Sequence, residues 1–241
     1  MRQFSRRAIG ITVRYRKVTR NFCVQEEYVK KVARGGGLPI LIPFGDVSNC
    51  NQILRSIDGL LLTGGEDIDP LRCGGDARQS GYDYDPDRDD FEIRLAQMAI
   101  EARLPTLGIC RGCQVLYVAT GNALIPHIPD ILGDTVSHRK SVTEPSQHFV
   151  TLTEGSRVSN AYAQRSLFVT SYHHQGLQFN ERTDSPWRAT AYADDSLVEA
   201  IEYADKPWIV GVLWHPEVPA NGNSGISDPL ITAFVAAAGA S

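Results

Sequence analysis

Cys110 stands between two glycines in the run Gly108-Ile109-Cys110-Arg111-Gly112, and this spacing is the plainest sign of chemistry in the chain. Residues 106–109 read as a short buried strand. From Arg111 onward Val115, Leu116, Val118 and Ala119 supply the apolar positions of a helix. A cysteine at such a junction occupies a nucleophile elbow, the Gly-x-Ser-x-Gly turn with sulfur in place of oxygen. The turn forces strand and helix so close that side chains beside the nucleophile must be absent. A thiol there also lies at the positive end of a helix, which favours the thiolate. The same pattern equally describes an inert, buried cysteine in an ordinary strand–helix loop. Cys110 and Cys113 also form a Cys-x-x-Cys pair, the spacing of thiol redox enzymes. Redox work needs no glycine at the elbow positions, and helical spacing turns Cys113 inward, so redox is the weaker reading.

A cysteine nucleophile needs a base, ordinarily histidine, held by a carboxylate or amide. Among the six histidines, His215 follows a strand-like run at 208–213 and precedes Pro216-Glu217. Proline prevents simple continuation of the strand, and a carboxylate two residues past an imidazole can fold back onto its ring nitrogen. Taken alone, His-Pro-Glu also reads as a strand-end histidine beside an exposed glutamate. His173 and His174 end another strand in Ser171-Tyr172-His173-His174-Gln175. Neighbouring strand residues point to opposite sides, so this pair is a poor metal clamp. No His-x-x-x-His spacing occurs, and neither a metal nor a cofactor is expected.

The elements that must position these groups alternate. Strands are expected at 8–15, 38–42 and 59–62, and helices at 25–34, 47–56 and 91–103. Asp89 or Asp90 is expected to cap the last of these, before the elbow strand and a helix running to Gly121. This alternation implies an α/β fold, a mostly parallel central sheet with helices on both faces. The second half is strand-rich at 149–152, 167–171, 189–193, 198–203 and 208–213. Hairpin turns fall at Asp194-Asp195 and Asp205-Lys206-Pro207, implying added antiparallel strands, and a helix at 228–238 closes the chain. With no repeat or linker, residues 1–241 read as a single domain. The segment between Gly65 and Phe91 is long and acidic, carrying Glu66, Asp67, Asp69, Asp76, Asp83, Asp85, Asp87, Asp89 and Asp90. It reads as a solvated loop or as a lid over the elbow.

Composition excludes several classes. The 241 residues are 42% hydrophobic, enough for a large core. A net charge of −4 without a basic block argues against nucleic acid or an anionic membrane as the partner. Five unevenly spaced cysteines argue against a disulfide framework and make a reducing cytoplasm the expected compartment. The apolar run at 8–13 is too short for a signal-peptide core, and no run approaches the ~20 residues of a membrane span.

With Cys110, His215 and Glu217 together, the chain resembles the class I glutamine amidotransferases, in particular their free-standing γ-glutamyl hydrolase branch. The resemblance is carried by Ile9-Gly10-Ile11-Thr12, Gly37-Leu38-Pro39, the run from Asp58 to Pro70, and Arg88-Asp89-x-Phe91-Glu92. It continues through Gly108-Ile109-Cys110-Arg111-Gly112-x-Gln114, Ser171-x-His173-His174-Gln175 and Trp214-His215-Pro216-Glu217. Synthase-linked glutaminases usually carry Gly-Gly-Pro where this chain has Gly64-Gly65-Glu66. The resemblance implies a flavodoxin-like sheet and a Cys-His-Glu triad of Cys110, His215 and Glu217. The N–H groups of Gly65 and Arg111 would form the oxyanion hole. Gln114, Ser171, Tyr172 and His173 would hold the glutamyl group of a small γ-glutamyl amine, γ-glutamyl-γ-aminobutyrate being one candidate. The chain departs from the family's usual residues at Cys113, Tyr117, Asn122, Pro126 and Leu213, expected around the pocket, where they would alter the amine accepted. A homodimer is left open. The alternatives are a glutaminase serving a separate synthase and a non-catalytic binding protein on the same fold.

Overall fold

Strands buried at every residue need cover on both faces, and β5, β6 and β13 below are such strands. The computed structural model describes residues 6–75, 83–141, 143–179, 185–205, 208–220 and 227–239. Strand β1 (Ala8–Thr12) leads through a small hairpin of β2 (Arg14–Arg16) and β3 (Asn21–Cys23) to helix α1 (Glu26–Arg34). There follow β4 (Leu38–Ile42), α2 (Cys50–Leu54), β5 (Gly59–Leu62), α3 (Pro86–Glu101), β6 (Thr106–Ile109) and α4 (Arg111–Val118). Next come β7 (Leu124–Ile125), α5 (Ile128–Leu132), β8 (Ser146–Leu152), α6 (Arg157–Tyr162), β9 (Ser166–Ser171) and β10 (Gly176–Leu177). The chain ends with β11 (Trp187–Ala193), β12 (Val198–Tyr203), β13 (Ile209–Val212) and α7 (Pro229–Ala237).

Among the described residues, nine strands form one sheet in the order β4-β1-β5-β6-β13-β12-β11-β8-β9. The first five pair in parallel. Counted in chain order they run second, first, third, fourth, fifth, the flavodoxin arrangement, in which ligands bind at the carboxyl ends of the strands. The last four pair antiparallel. Strand alternation sends Leu60 and Leu62 to the face covered by α2, α3 and α4, and Leu61 to the face covered by α1 and α7. Each leucine so buried contributes about 1.5–3 kcal/mol relative to exposure.

Two expectations need correction. Helix α3 begins at Pro86, with the Asp85 side chain accepting from the Arg88 N–H, so neither Asp89 nor Asp90 is its cap. The acidic segment from Glu66 to Asp90, whose last residues open α3, is only partly solvated. Ile68, Asp69 and Asp89 are buried, and Pro70–Arg72 forms a 3-10 turn. Residues 76–82 of the segment read as a loop or lid, and Lys206-Pro207 of the expected turn, lie outside the described residues.

Candidate active site

Three loops at the carboxyl ends of β5, β6 and β13 meet in a cleft of about 820 Å³. The β6 loop carries Cys110 at φ 51° and ψ −109°, a strained conformation for a residue with a side chain. Parallel pairing continues through it, since the Cys110 N–H donates to the Val212 carbonyl at 2.8 Å. The flanking glycines are required by close approach. A Cβ on Gly108 would lie 2.5 Å from the Gly112 carbonyl oxygen, and one on Gly112 would lie 2.1 Å from that of Leu62. The helix therefore starts against the strands, and the cysteine at the turn lines the cleft.

Past β13, the chain turns at Pro216 and the Val218 N–H closes that turn onto the His215 carbonyl at 3.0 Å. That turn brings Glu217 back onto its neighbour, with Oε1 2.6 Å from His215 Nδ1. Glu217 is completely buried, which rules out the exposed-glutamate reading. The His215 N–H donates to the Thr170 carbonyl, and Tyr172 packs edge-on against the imidazole with ring centroids 5.2 Å apart. Both His215 Cε1 and Cys110 Cβ border the site above Gly64, so the ring and the thiol converge on one point. Burial works against charging His215. The Glu217 carboxylate outweighs it, aided by Cys110, and raises the imidazole pKa well above its ordinary value.

The β5 loop, Thr63-Gly64-Gly65-Glu66, is held by a buried guanidinium. Arg88 donates to Thr63 Oγ1, the Gly64 carbonyl and Glu66 Oε2 at 3.2, 3.1 and 2.9 Å, and to Glu92 Oε1 at 2.8 Å. A Cβ on Gly65 would fall 2.1 Å from Arg88 Nη1, so glycine there makes room for this clamp. Glu92 in turn accepts from Arg111 at 2.5 Å, tying the loop to the first residue of α4. The Gly64 N–H donates to the Tyr28 hydroxyl at 3.1 Å. The N–H groups of Gly65 and Arg111 make no hydrogen bond among the described residues, and both residues line the cleft. Two backbone donors beside a thiol are the arrangement that stabilises an oxyanion.

Of the residues expected to hold a substrate, Gln114, Tyr172 and His173 line the cleft. Ser171 does not. It is fully buried, and its hydroxyl lies 2.9 Å from His148 Nε2 on the neighbouring strand, because alternation along β9 sends it inward. Nor do Cys113, Tyr117, Asn122, Pro126 or Leu213 line the cleft. Cys113 lies against Gly211 of β13, and Tyr117 bonds the Gln178 carbonyl, so both sit behind the elbow helix. Burial pushes the Cys113 thiol well above its ordinary pKa, which disfavours the thiolate that redox exchange needs. His173 and His174 do diverge. His174 Nε2 lies 2.9 Å from the Asp67 carboxylate, whereas His173 faces Glu199.

Two contributors escaped the sequence reading. Tyr28 sits on the apolar stripe of α1, where nothing distinguishes a hydroxyl that braces Gly64. The Arg88–Glu92 pair at i, i+4 was legible as spacing but not as a buried clamp.

An α/β sheet that presents a cysteine on a strained elbow to a carboxylate-held imidazole is the architecture of thiol-dependent amide hydrolases. Residues 8–217 match the peptidase C26 family, and the chain belongs to it and thereby to the hydrolases of amide bonds. The γ-glutamyl-γ-aminobutyrate hydrolase of Escherichia coli is 34% identical over 208 residues, covering 80% of this chain and 78% of that protein. A Mycobacterium tuberculosis protein named as a glutamine amidotransferase is 33% identical over 193 residues, covering 79% of this chain. This chain spans 61% of that relative's length. The acivicin-bound glutaminase domain of Trypanosoma brucei CTPS shares the fold, with a TM-score of 0.65 at 15% identity over 97% of this chain and 94% of that one. No helix among the described residues is long and apolar enough to cross a membrane.

Proposed function

We propose that this protein hydrolyses the γ-glutamyl amide bond of a small γ-glutamyl amine, with Cys110 as nucleophile, His215 as general acid and base, and Glu217 orienting the imidazole. The observation that carries the reading is the buried 2.6 Å His215–Glu217 pair set beside the elbow cysteine. The Cys110 thiolate attacks the γ-carbonyl carbon, and the N–H groups of Gly65 and Arg111 take up the charge on its oxygen. His215 gives its proton to the amine nitrogen as the C–N bond breaks, since an amide anion is too poor a leaving group. This leaves a glutamyl thioester on Cys110. His215, now neutral, takes a proton from water as the water attacks the thioester, releasing glutamate and restoring the thiolate.

The cleft has the size of a small-molecule site and mixed charge, lined by Arg14 and Arg139 as well as Glu66, Asp67 and Asp83. That suits a zwitterionic glutamyl head with a small amine tail. Relatedness to the E. coli hydrolase supports γ-glutamyl-γ-aminobutyrate as one candidate substrate. The test is a mass-spectrometric screen of purified protein against a panel of γ-glutamyl amines and glutamine, without ATP or added partner. Cleavage of one or more γ-glutamyl amines well ahead of glutamine supports the reading. Dominant glutamine hydrolysis that rises on adding a synthase would instead make the chain a glutaminase subunit.

A further inference from the structure

Behind the cleft wall, four buried side chains from distant parts of the sequence converge: His138 before β8, His148 on β8, His173 just past β9 and Glu199 on β12. They are 4%, 8%, 3% and 0% exposed, and one ligand-type atom from each lies within 4.8 Å of all the others. We infer that these residues form a zinc(II) site with three imidazole nitrogens and one carboxylate oxygen as ligands. The inference does not depend on which amide the protein cleaves.

Tautomers carry the argument. His138 Nε2 lies 2.9 Å from the Asp195 carboxylate, His173 Nδ1 lies 3.1 Å from the Gln175 carbonyl, and His148 Nδ1 lies 3.2 Å from the Phe149 carbonyl. Carboxylates and carbonyls only accept, so each of these outward nitrogens carries the proton. In neutral rings the inward nitrogens are then acceptors: those of His138 and His173 are bare lone pairs, and that of His148 accepts from the Ser171 hydroxyl at 2.9 Å. All three lie near Glu199 Oε1, at 3.0 Å from His138 Nδ1, 3.4 Å from His173 Nε2 and 3.7 Å from His148 Nε2, and His148 would exchange the Ser171 hydroxyl for the ion. His138 Nδ1, His173 Nε2 and both Glu199 oxygens have no hydrogen-bond partner of acceptable geometry. Buried acceptors facing one another without a donor are costly, and a single cation satisfies all of them. A proton on His138, shared toward Glu199, is the competing solution, but it leaves His173 Nε2 bare.

The dimensions fit. Tetrahedral zinc with bonds of about 2.0–2.1 Å sets its ligand atoms about 3.3 Å apart, and the carboxylate-to-nitrogen distances of 3.0, 3.4 and 3.7 Å bracket that value. Imidazole with a carboxylate suits zinc among first-row ions. Each histidine's outward N–H is anchored to a carboxylate or carbonyl, the support that orients metal-bound imidazoles. Such an ion would tie the end of β9 to β8 and β12. It would thereby fix Tyr172 to Gln175, which wall the cleft. His173 would then be a positioning residue, acting through the metal and not on substrate. Metal-ligand spacing rules miss this site because its members are brought together only by the antiparallel half of the sheet.

The test uses tag-free protein from zinc-supplemented culture, with metal content measured by inductively coupled plasma mass spectrometry. The expected result is one zinc per chain. After chelation, cobalt(II) added to the wild-type apoprotein should give the intense visible absorption of a tetrahedral site. Asp195→Asn keeps all four ligands and removes only the anchor of His138, so it should fold and bind zinc about ten- to hundredfold more weakly. Glu199→Gln should abolish the tetrahedral cobalt spectrum. The inference is overturned if wild-type protein purifies without zinc and takes up neither zinc nor cobalt at micromolar concentration. It is equally overturned if binding is indifferent to both substitutions.

Discussion

Glu217→Gln keeps the volume of the side chain but removes the charge that holds His215. The bond it alters is short and fully enclosed, 2.6 Å between two buried groups. A hydrogen bond to a charged group contributes about 1.5–3 kcal/mol. At about 1.4 kcal/mol per factor of ten, loss of that contribution from the transition state slows acylation about ten- to 150-fold. The pH profile should move as well. Burial lowers the His215 pKa and Glu217 is the foremost group raising it. Since the imidazolium must be present to protonate the leaving amine, activity is lost as pH rises through the His215 pKa. Removing Glu217 lowers that pKa, so the alkaline limb shifts to lower pH. Single-turnover acylation measured across pH for wild type and variant reads both effects. An unchanged rate together with an unmoved alkaline limb would refute the orienting role.

Cys110→Ala should abolish turnover, whereas Cys113→Ala should keep most of it and lose about 0.5–3 kcal/mol of stability, measured by steady-state rates and urea unfolding. Gly112→Ala would place a Cβ 2.1 Å from the Leu62 carbonyl oxygen, a backbone atom that cannot step aside. Overpacking of about 1–3 kcal/mol and loss of activity are expected from unfolding and rate measurements. The Asp228 carboxyl, which accepts from the N–H groups of Leu230 and Ile231 at the start of α7, is pushed by burial from 3.8 up to about 6. The folded state therefore holds that proton more tightly than the unfolded state, and stability falls as pH rises from about 4 to 6, by up to about 3 kcal/mol. Asp228→Asn should flatten that slope in unfolding curves taken at several pH values.

What was legible in the sequence was local. The elbow needs only one strand end, one helix start and two glycines within five residues, and Pro216 folds Glu217 back across two. The parallel half of the sheet followed from alternating strands and helices. The solvated reading of the acidic run from Glu66 to Asp90 failed in part because some of its charges are cancelled from afar. Asp89 meets Arg111 of the elbow helix, and Arg88 spans from α3 to the β5 loop. Ser171 was misplaced because the motif suggests a cleft residue, while alternation along β9 buries it. Tyr28 and the cluster around Glu199 depend on contacts between elements far apart in the chain. No spacing rule could assemble them before the sheet order was known.

The central claim is that Cys110 carries a covalent glutamyl intermediate. Purified protein should be mixed with a cleaved γ-glutamyl amine, quenched in acid within the first turnover, digested and analysed by mass spectrometry. The account predicts a glutamyl adduct confined to the peptide bearing Cys110, forming and decaying at rates that match turnover and absent from Cys110→Ala. Turnover without any adduct at Cys110, or with the adduct on Cys113, would contradict it.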